Sequence, residues 1–141
     1  MGQVLIRLLF SEYMRLLIYT DVLIDYLRAQ AEAVSYLEGL TDTDMLLISA
    51  MTVAELYAGV RDGSERAALD SFVQAFEVVP ISDKIAINGG LLRRDYAKSH
   101  NTGLADAIIA ATAEIEQAHL VTLNKKHFPM LADLIVPYQK S

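Results

Sequence analysis

The sequence contains no cysteine. This absence excludes a disulfide framework, a thiolate metal site and a cysteine nucleophile together. It also fits a reducing compartment, because intracellular proteins rarely depend on disulfides. We therefore expect a cytoplasmic protein whose stability comes from a packed core.

Long hydrophobic runs are lacking as well. The two apolar stretches near the N-terminus, Val4–Phe10 and Leu16–Leu27, contain charged residues and fall short of the roughly 18 to 20 apolar residues of a membrane span. No small-residue cleavage pattern follows the first stretch, which argues against a signal peptide. The pattern predicts a soluble protein.

Several signatures of phosphate chemistry are missing too. No glycine-rich loop follows the first predicted strand, which counts against a P-loop or a dinucleotide-binding site. Asp21 and Asp25 lie four residues apart, whereas a phosphatase of the haloacid dehalogenase type needs two aspartates separated by one residue. His100, His119 and His127 show no metal-ligand spacing. A small phosphatase that uses the two aspartates therefore has little support.

Positive charge is scarce, with 12 basic against 18 acidic residues and a net charge of −6. A general nucleic-acid binder is expected to be basic, because phosphate neutralisation supplies much of its affinity. Contact with RNA would need a bound metal ion or a local basic rim. The candidates for such a rim are Arg93, Arg94, Lys98, Lys125 and Lys126, with His100 and His127 beside them. For any single member, a solvated helix face or an exposed turn accounts for the charge at least as well.

What the sequence does contain is an alternation of apolar strands and helices. Its 141 residues fit one domain. The predicted strands are Arg15–Tyr19, Met45–Ile48, Val78–Ile81, Leu120–Thr122 and Leu134–Val136. Helical spacing between them predicts an α/β fold with a central parallel sheet of about four or five strands flanked by helices. Residues 14–141 would form this domain, and residues 1–13 an N-terminal extension that a misassigned start codon would explain.

Polar residues stand at the ends of the predicted strands, where ligands gather in such folds. They are Tyr19-Thr20-Asp21, Glu55, Asp106 and Asn124. A purely structural role is open to each of these places. Thr52 and Glu55 have the form of a helix capping box, Asp21 can cap the helix that follows it, and asparagine is common in turns.

Asp106 is the most informative of these positions, because it is the only charged residue from Leu104 to Ala113. Burying a bare carboxylate costs several kcal/mol, so Asp106 must be capped, paired or metal-bound. Its position in the first turn of the predicted helix also allows capping. From the sequence alone, a structural role and a functional role of Asp106 are about equally supported.

Four segments carry a family resemblance. They are Tyr19–Arg28, Ile48–Gly59, Thr102–Thr112 and Val121–Phe128. In this order they resemble the VapC-type PIN domains, and the resemblance covers nearly the whole chain from Met14. It implies a Mg²⁺- or Mn²⁺-dependent ribonuclease that is inhibited by a cognate VapB-like antitoxin and usually forms a homodimer.

The family's active site uses an Asp after the first strand, a Glu in the second segment, an Asp in the third, and Asp or Asn after the fourth strand. Glu55, Asp106 and Asn124 match the last three positions. Tyr19 stands where the first Asp is expected. Sliding the register so that Asp21 becomes the match would break the agreement that follows it.

This substitution should weaken the site. It removes a full negative charge, because a phenol is neutral near pH 7, and it places a bulky ring at the mouth of the site. Divalent cations prefer several oxygen ligands, and the resemblance leaves Glu55 and Asp106 for this role, with Asp21 as an alternative third ligand. Two functions stay open: a metal-dependent endoribonuclease toxin weakened by Tyr19, and a non-catalytic PIN domain that acts by binding an antitoxin or a dimer partner.

Overall fold

Strands and helices alternate along the chain in the computed structural model, which describes residues 14–40 and 44–139. In this part of the chain the elements are β1 (Arg15–Ile18), α1 (Thr20–Leu27), α2 (Ala31–Glu38), β2 (Met45–Ser49), α3 (Ala50–Ala58), α4 (Ser64–Val73), β3 (Glu77–Val79), α5 (Asp83–His100), α6 (Leu104–Ile115), β4 (His119–Val121) and a short 3-10 helix (Lys125–His127). The predicted extension at residues 1–13 lies outside the described residues. None of the described helices is both long enough and apolar enough to cross a membrane.

The four strands form one parallel sheet in the order β3-β2-β1-β4. β1 and β2 occupy the centre, and each strand ends at the same edge of the sheet. The predicted α/β fold with a central parallel sheet is confirmed. Because β1 lies between β2 and β4, residues that follow these three strands are neighbours in space although far apart in sequence.

The predicted fifth strand, Leu134–Val136, is reduced to a single bridge. Ile135 pairs in parallel with Val121. Its N–H donates to the carbonyl of Leu120 at 2.8 Å, and its carbonyl accepts from the N–H of Thr122 at 3.0 Å. Pro137 follows two residues later and has no N–H to extend such a ladder.

Both faces of the sheet are covered, which explains why β1 is apolar at successive positions. Side chains alternate between faces along a strand. Leu17 accordingly packs with residues of α5 and α6, whereas Leu16 and Ile18 pack with residues of α1, α3 and α4. These three side chains are at most 1% exposed.

The last long helix is held close to its neighbour. In α6, the seven residues Ala107–Ala113 are all buried. A Cβ atom added at Gly89 of α5 would lie 3.0 Å from the Cα atom of Ile108, so the two backbones approach more closely than a side chain at position 89 allows. The predicted helix extends to Gln117, but α6 ends at Ile115 because Gln117 has a left-handed φ of 52°. This packing fixes the start of α6, and with it Asp106, relative to the sheet.

Candidate active site

The polar positions predicted from the sequence meet at the carboxyl edge of the sheet. Tyr19 follows β1 directly, and Asn124 lies just beyond β4. Glu55 comes from α3, which starts immediately after β2, and Asp106 comes from the first turn of α6.

Tyr19 is bound directly to Asp106. Its hydroxyl donates to Oδ1 of Asp106 at an O···O distance of 2.5 Å. The Tyr19 ring meets Phe128 edge to face, with centroids 5.2 Å apart, and its backbone N–H donates to the carbonyl of Val121 at 2.9 Å. Burial raises the pKa of Tyr19 above its usual value, and the hydrogen bond to Asp106 adds to this effect. The phenol is therefore a fixed, neutral donor.

The second oxygen of Asp106 faces a histidine. Nδ1 of His127 lies 3.3 Å from Oδ2 of Asp106 and 3.2 Å from Nδ2 of Asn124. The tautomer of the ring decides whether Nδ1 donates to the carboxylate or accepts from the amide. Tyr19 donates to one oxygen of Asp106, and His127 faces the other, to which it donates only when its Nδ1 carries a proton.

Glu55 is held by a separate hydroxyl, that of Thr20, which also contacts Thr52. Oγ1 of Thr20 lies 2.8 Å from Oε1 of Glu55 and 3.1 Å from Oγ1 of Thr52. Both threonines are buried, whereas Glu55 itself is exposed. One arrangement satisfies all three groups, in which Thr52 donates to Thr20 and Thr20 donates to Glu55.

The capping-box interpretation of Thr52 and Glu55 is wrong. Helix α3 begins at Ala50, and its N-cap is Ser49, whose side chain accepts from the N–H of Met51 at 3.0 Å. Thr52 and Glu55 therefore lie inside the helix. Their spacing of three places both on the face that meets Thr20.

Asp21 lies near these groups, but its carboxylate is engaged elsewhere. Oδ1 accepts from the N–H of the next residue, Val22, at 2.7 Å. The prediction that Asp21 caps α1 is wrong, because the helix begins at Thr20 with Tyr19 as its N-cap, so Asp21 lies inside the first turn. Oδ2 accepts from the hydroxyl of Thr122 at 3.0 Å and from the N–H of Leu123 at 2.9 Å. Burial raises the pKa of Asp21, and these hydrogen bonds act in the opposite direction. Asp21 thus joins the start of α1 to the chain that follows β4.

The basic residues predicted to contact RNA fall into two places. Arg93, Arg94 and Lys98 are exposed along the second half of α5, and Arg94 pairs with the neighbouring Asp95 at 2.8 Å. Lys125 and Lys126 are exposed in the 3-10 helix that carries His127. Through His127, this second group lies beside Asp106.

The residues in place do not fit a divalent cation. A hard cation needs free oxygen ligands, and both oxygens of Asp106 already face Tyr19 and His127. Tyr19 offers a neutral hydroxyl that acts as a donor. Within residues 14–40 and 44–139, no group of three or more His, Cys, Asp or Glu is arranged to hold a metal ion.

Comparison with known proteins identifies the family. Residues 16–134 match the family model described as the PIN domain. The chain belongs to the PIN domain family. Its relatives include Ribonuclease VapC10 of Mycobacterium tuberculosis, which is 39% identical over 124 residues, or 87% of this chain and 92% of VapC10. Ribonuclease VapC19 of the same organism is 42% identical over 125 residues, or 86% of this chain and 98% of VapC19.

Solved structures agree with the sequence comparison. The crystal structure of VapBC2 from Rickettsia felis, bound to a DNA fragment from their promoter, contains a similar chain with a TM-score of 0.73 and 28% identity. The match covers 86% of this chain and 96% of that chain. The resemblance to VapC-type PIN domains is therefore confirmed.

Sequence reasoning names two residues of this PIN domain site, His127 and Thr20, without predicting their contacts. It places His127 only in the basic rim, without metal-ligand spacing, yet His127 contacts both Asp106 and Asn124. A signal is available, because residues three apart in a 3-10 helix lie above one another, and His127 follows Asn124 by three. Thr20 has no such signal, since its contact with Glu55 spans 35 positions.

Proposed function

We propose that this PIN domain is the toxin of a toxin–antitoxin pair and an endoribonuclease of the Mg²⁺- or Mn²⁺-dependent type, weakened because Tyr19 stands in place of the first acid. The similarity to two ribonucleases named VapC supports the reaction class. The proposed weakening of the activity rests on the hydrogen bond from Tyr19 to Asp106.

Divalent cations assist phosphodiester cleavage by activating water and by neutralising charge in the transition state. That chemistry needs carboxylate oxygens that are free to bind the ion. Glu55 and Asp106 remain from the acidic set, and Asn124 contacts His127, but the Tyr19 hydroxyl occupies one oxygen of Asp106. We therefore expect slow cleavage or none by the unaltered chain.

RNA would approach an acidic protein only where positive charge is concentrated. Lys125 and Lys126 meet this requirement, because they are exposed next to His127 at the edge of the site. Arg93, Arg94 and Lys98 would extend the contact along α5. These five residues are our candidates for binding the RNA backbone.

A VapB-like antitoxin is the proposed protein partner, by analogy with the VapBC2 complex. A cleft of about 570 Å³ between α1, α3 and α4 gives such a partner a place to bind. Its lining includes the apolar side chains of Ile24, Leu27 and Leu69 as well as Glu55. A partner in this cleft would cover Glu55 and so block the site.

A homodimer is the proposed state of the chain. Ile87 and Leu91, one turn apart on α5, are 62% and 43% exposed, and Leu104 at the start of α6 is 55% exposed. Burying such side chains between two copies would remove apolar surface from water. Sedimentation of the unaltered chain and of Ile87→Lys tests this, with a dimer expected only for the former.

The rival function is a non-catalytic PIN domain that acts by occupying an antitoxin or a dimer partner. The same Tyr19–Asp106 hydrogen bond favours it. The bond engages a carboxylate that catalysis would use, whereas binding an antitoxin or a dimer partner does not depend on that carboxylate.

Cleavage of a total RNA pool separates the two functions. The unaltered chain, Tyr19→Asp and the matched uncharged control Tyr19→Asn are each assayed with Mg²⁺, with Mn²⁺ and with chelator. We expect strong cleavage only from Tyr19→Asp with metal, and at least about a hundredfold less from the other two, as for loss of a charge-stabilising group. Equal metal-dependent cleavage by the unaltered chain would overturn the role given to Tyr19. No cleavage by any of the three would favour the binding function.

A further inference from the structure

Tyr19 lies among acidic groups. Burial raises the pKa of its phenol most, followed by the hydrogen bond to Asp106, and the negative charges of Asp106, Glu55 and Asp21 add smaller effects in the same direction. The hydroxyl is directed at one of the three, Asp106, at 2.5 Å. A hydrogen-bond donor thus stands directly against the Asp106 carboxylate, in a place that a cation would favour.

We propose that Tyr19 takes the place of a metal ion at Asp106, so that the acidic site of this chain is held together by an internal hydroxyl and is stable without a divalent cation. The inference rests on the proposed function only in treating the site as derived from a metal site. It concerns binding and stability, and it can be tested without RNA.

The hydroxyl is held in place from both ends of the residue. The Tyr19 backbone is fixed between β1 and β4 by its hydrogen bond to Val121, and the ring is fixed by Phe128, which is 1% exposed. Asp106 is fixed in turn by the close packing of α6 on α5. Because neither partner is a flexible surface side chain, little conformational entropy opposes their contact.

The charge of the surrounding residues also favours a neutral side chain at position 19 when no metal ion is bound. An Asp at position 19 would bring a further carboxylate to a place where three already act on the side chain. The basic group in contact with Asp106 is His127, which is charged only when protonated. A cation would relieve the repulsion among four carboxylates, whereas Tyr19 avoids it by being neutral and by donating.

The test is thermal unfolding of four proteins, each with chelator and with Mn²⁺, together with Mn²⁺ binding measured by electron paramagnetic resonance. They are the unaltered chain, Tyr19→Phe, Tyr19→Asn and Tyr19→Asp. The phenylalanine variant keeps the ring and loses only the hydroxyl. The asparagine variant has the size of aspartate without its charge.

For the unaltered chain we expect the same Tm in both conditions and no stoichiometric Mn²⁺ at the site. Tyr19→Phe should unfold roughly 3 to 6 °C lower, from loss of a hydrogen bond to a carboxylate, and should also ignore Mn²⁺. Tyr19→Asp should be the least stable with chelator and should regain its Tm as Mn²⁺ is added. Tyr19→Asn should not respond.

Two results would overturn the proposal. One is stoichiometric Mn²⁺ binding by the unaltered chain that Asp106→Asn abolishes. The other is a Tyr19→Asp variant at least as stable as the unaltered chain with chelator. If Tyr19→Asp does not fold in either condition, the Mn²⁺ measurement on the unaltered chain decides alone. Failure of the proposed ribonuclease function would appear instead as silent RNA assays for a Tyr19→Asp variant that does bind Mn²⁺.

Discussion

Two adjacent glycines of α5 give a matched pair of substitutions. Gly89 faces α6, and an added Cβ would lie 2.9 Å from Cγ1, 3.0 Å from Cα and 3.3 Å from N of Ile108. The side-chain atom can move, but the Cα and N atoms can move only if α6 moves. Gly90, the next residue, has nothing within 4 Å of an added Cβ.

Replacing either glycine by alanine favours the helix by about 0.8 to 1 kcal/mol, and this gain is common to both variants. The difference between them therefore isolates the packing effect. Forcing a methyl group into a filled space destabilises by about 1 to 3 kcal/mol. We expect Gly90→Ala to be more stable than the unaltered chain, and Gly89→Ala to be less stable than Gly90→Ala by about 1 to 3 kcal/mol.

Urea unfolding followed by circular dichroism, at one protein concentration, gives the free energy of unfolding of each variant. Equal stability of Gly89→Ala and Gly90→Ala would refute the reasoning, because it would mean that α5 and α6 separate at little energetic cost. In that case α6 would not hold Asp106 firmly against Tyr19.

Three further predictions concern the hydrogen bonds around the site. Asp21→Ala removes the acceptor of three hydrogen bonds and should lower the free energy of unfolding, measured by urea titration, by about 2 to 4 kcal/mol. Asp21→Asn should be intermediate between Asp21→Ala and the unaltered chain. Equal stability of the two variants would contradict this prediction. Tyr138→Phe removes the donor to the buried Asp25 and should destabilise by about 1 to 3 kcal/mol near neutral pH. Because burial raises the pKa of Tyr138 above its unfolded value of 10.0, its contribution is complete below that pH and is lost as the pH rises, so the fall in Tm above pH 10 should be shallower in Tyr138→Phe. Thr20→Val frees Glu55 and should reduce cleavage by the Tyr19→Asp variant roughly tenfold, whereas Thr20→Ser, which keeps the hydroxyl, should not.

The sheet could be predicted from the sequence because its signal is local. Four of the five predicted strands are present to within a residue or two, since a short apolar run between two helical segments is typical of a buried strand in an α/β fold. The exception is Leu134–Val136, where the run is apolar but Pro137 follows at once. Local composition could not show how little of that segment pairs.

The site could be predicted only in part. That Asp106 needs a partner follows from its apolar helix, and the structure supplies Tyr19 and His127. Which partners it finds depends on contacts across 87 positions for Tyr19, which no local pattern encodes. The capping-box error at Thr52 and Glu55 has the same origin, because a spacing of three occurs both at helix starts and on helix faces.

The bonds of Asp21 to Thr122 and Leu123 also govern when the site can form. They join residues 101 and 102 positions apart, and β1 likewise pairs with β4 only after the intervening chain exists. At about 5 to 20 residues per second, synthesis of that stretch takes roughly 5 to 20 s. Throughout this interval Asp21 and β1 exist without the partners that complete the site, because those partners have not yet been translated. The site therefore cannot assemble, and a growing chain cannot act, before Thr122 and Leu123 have been translated.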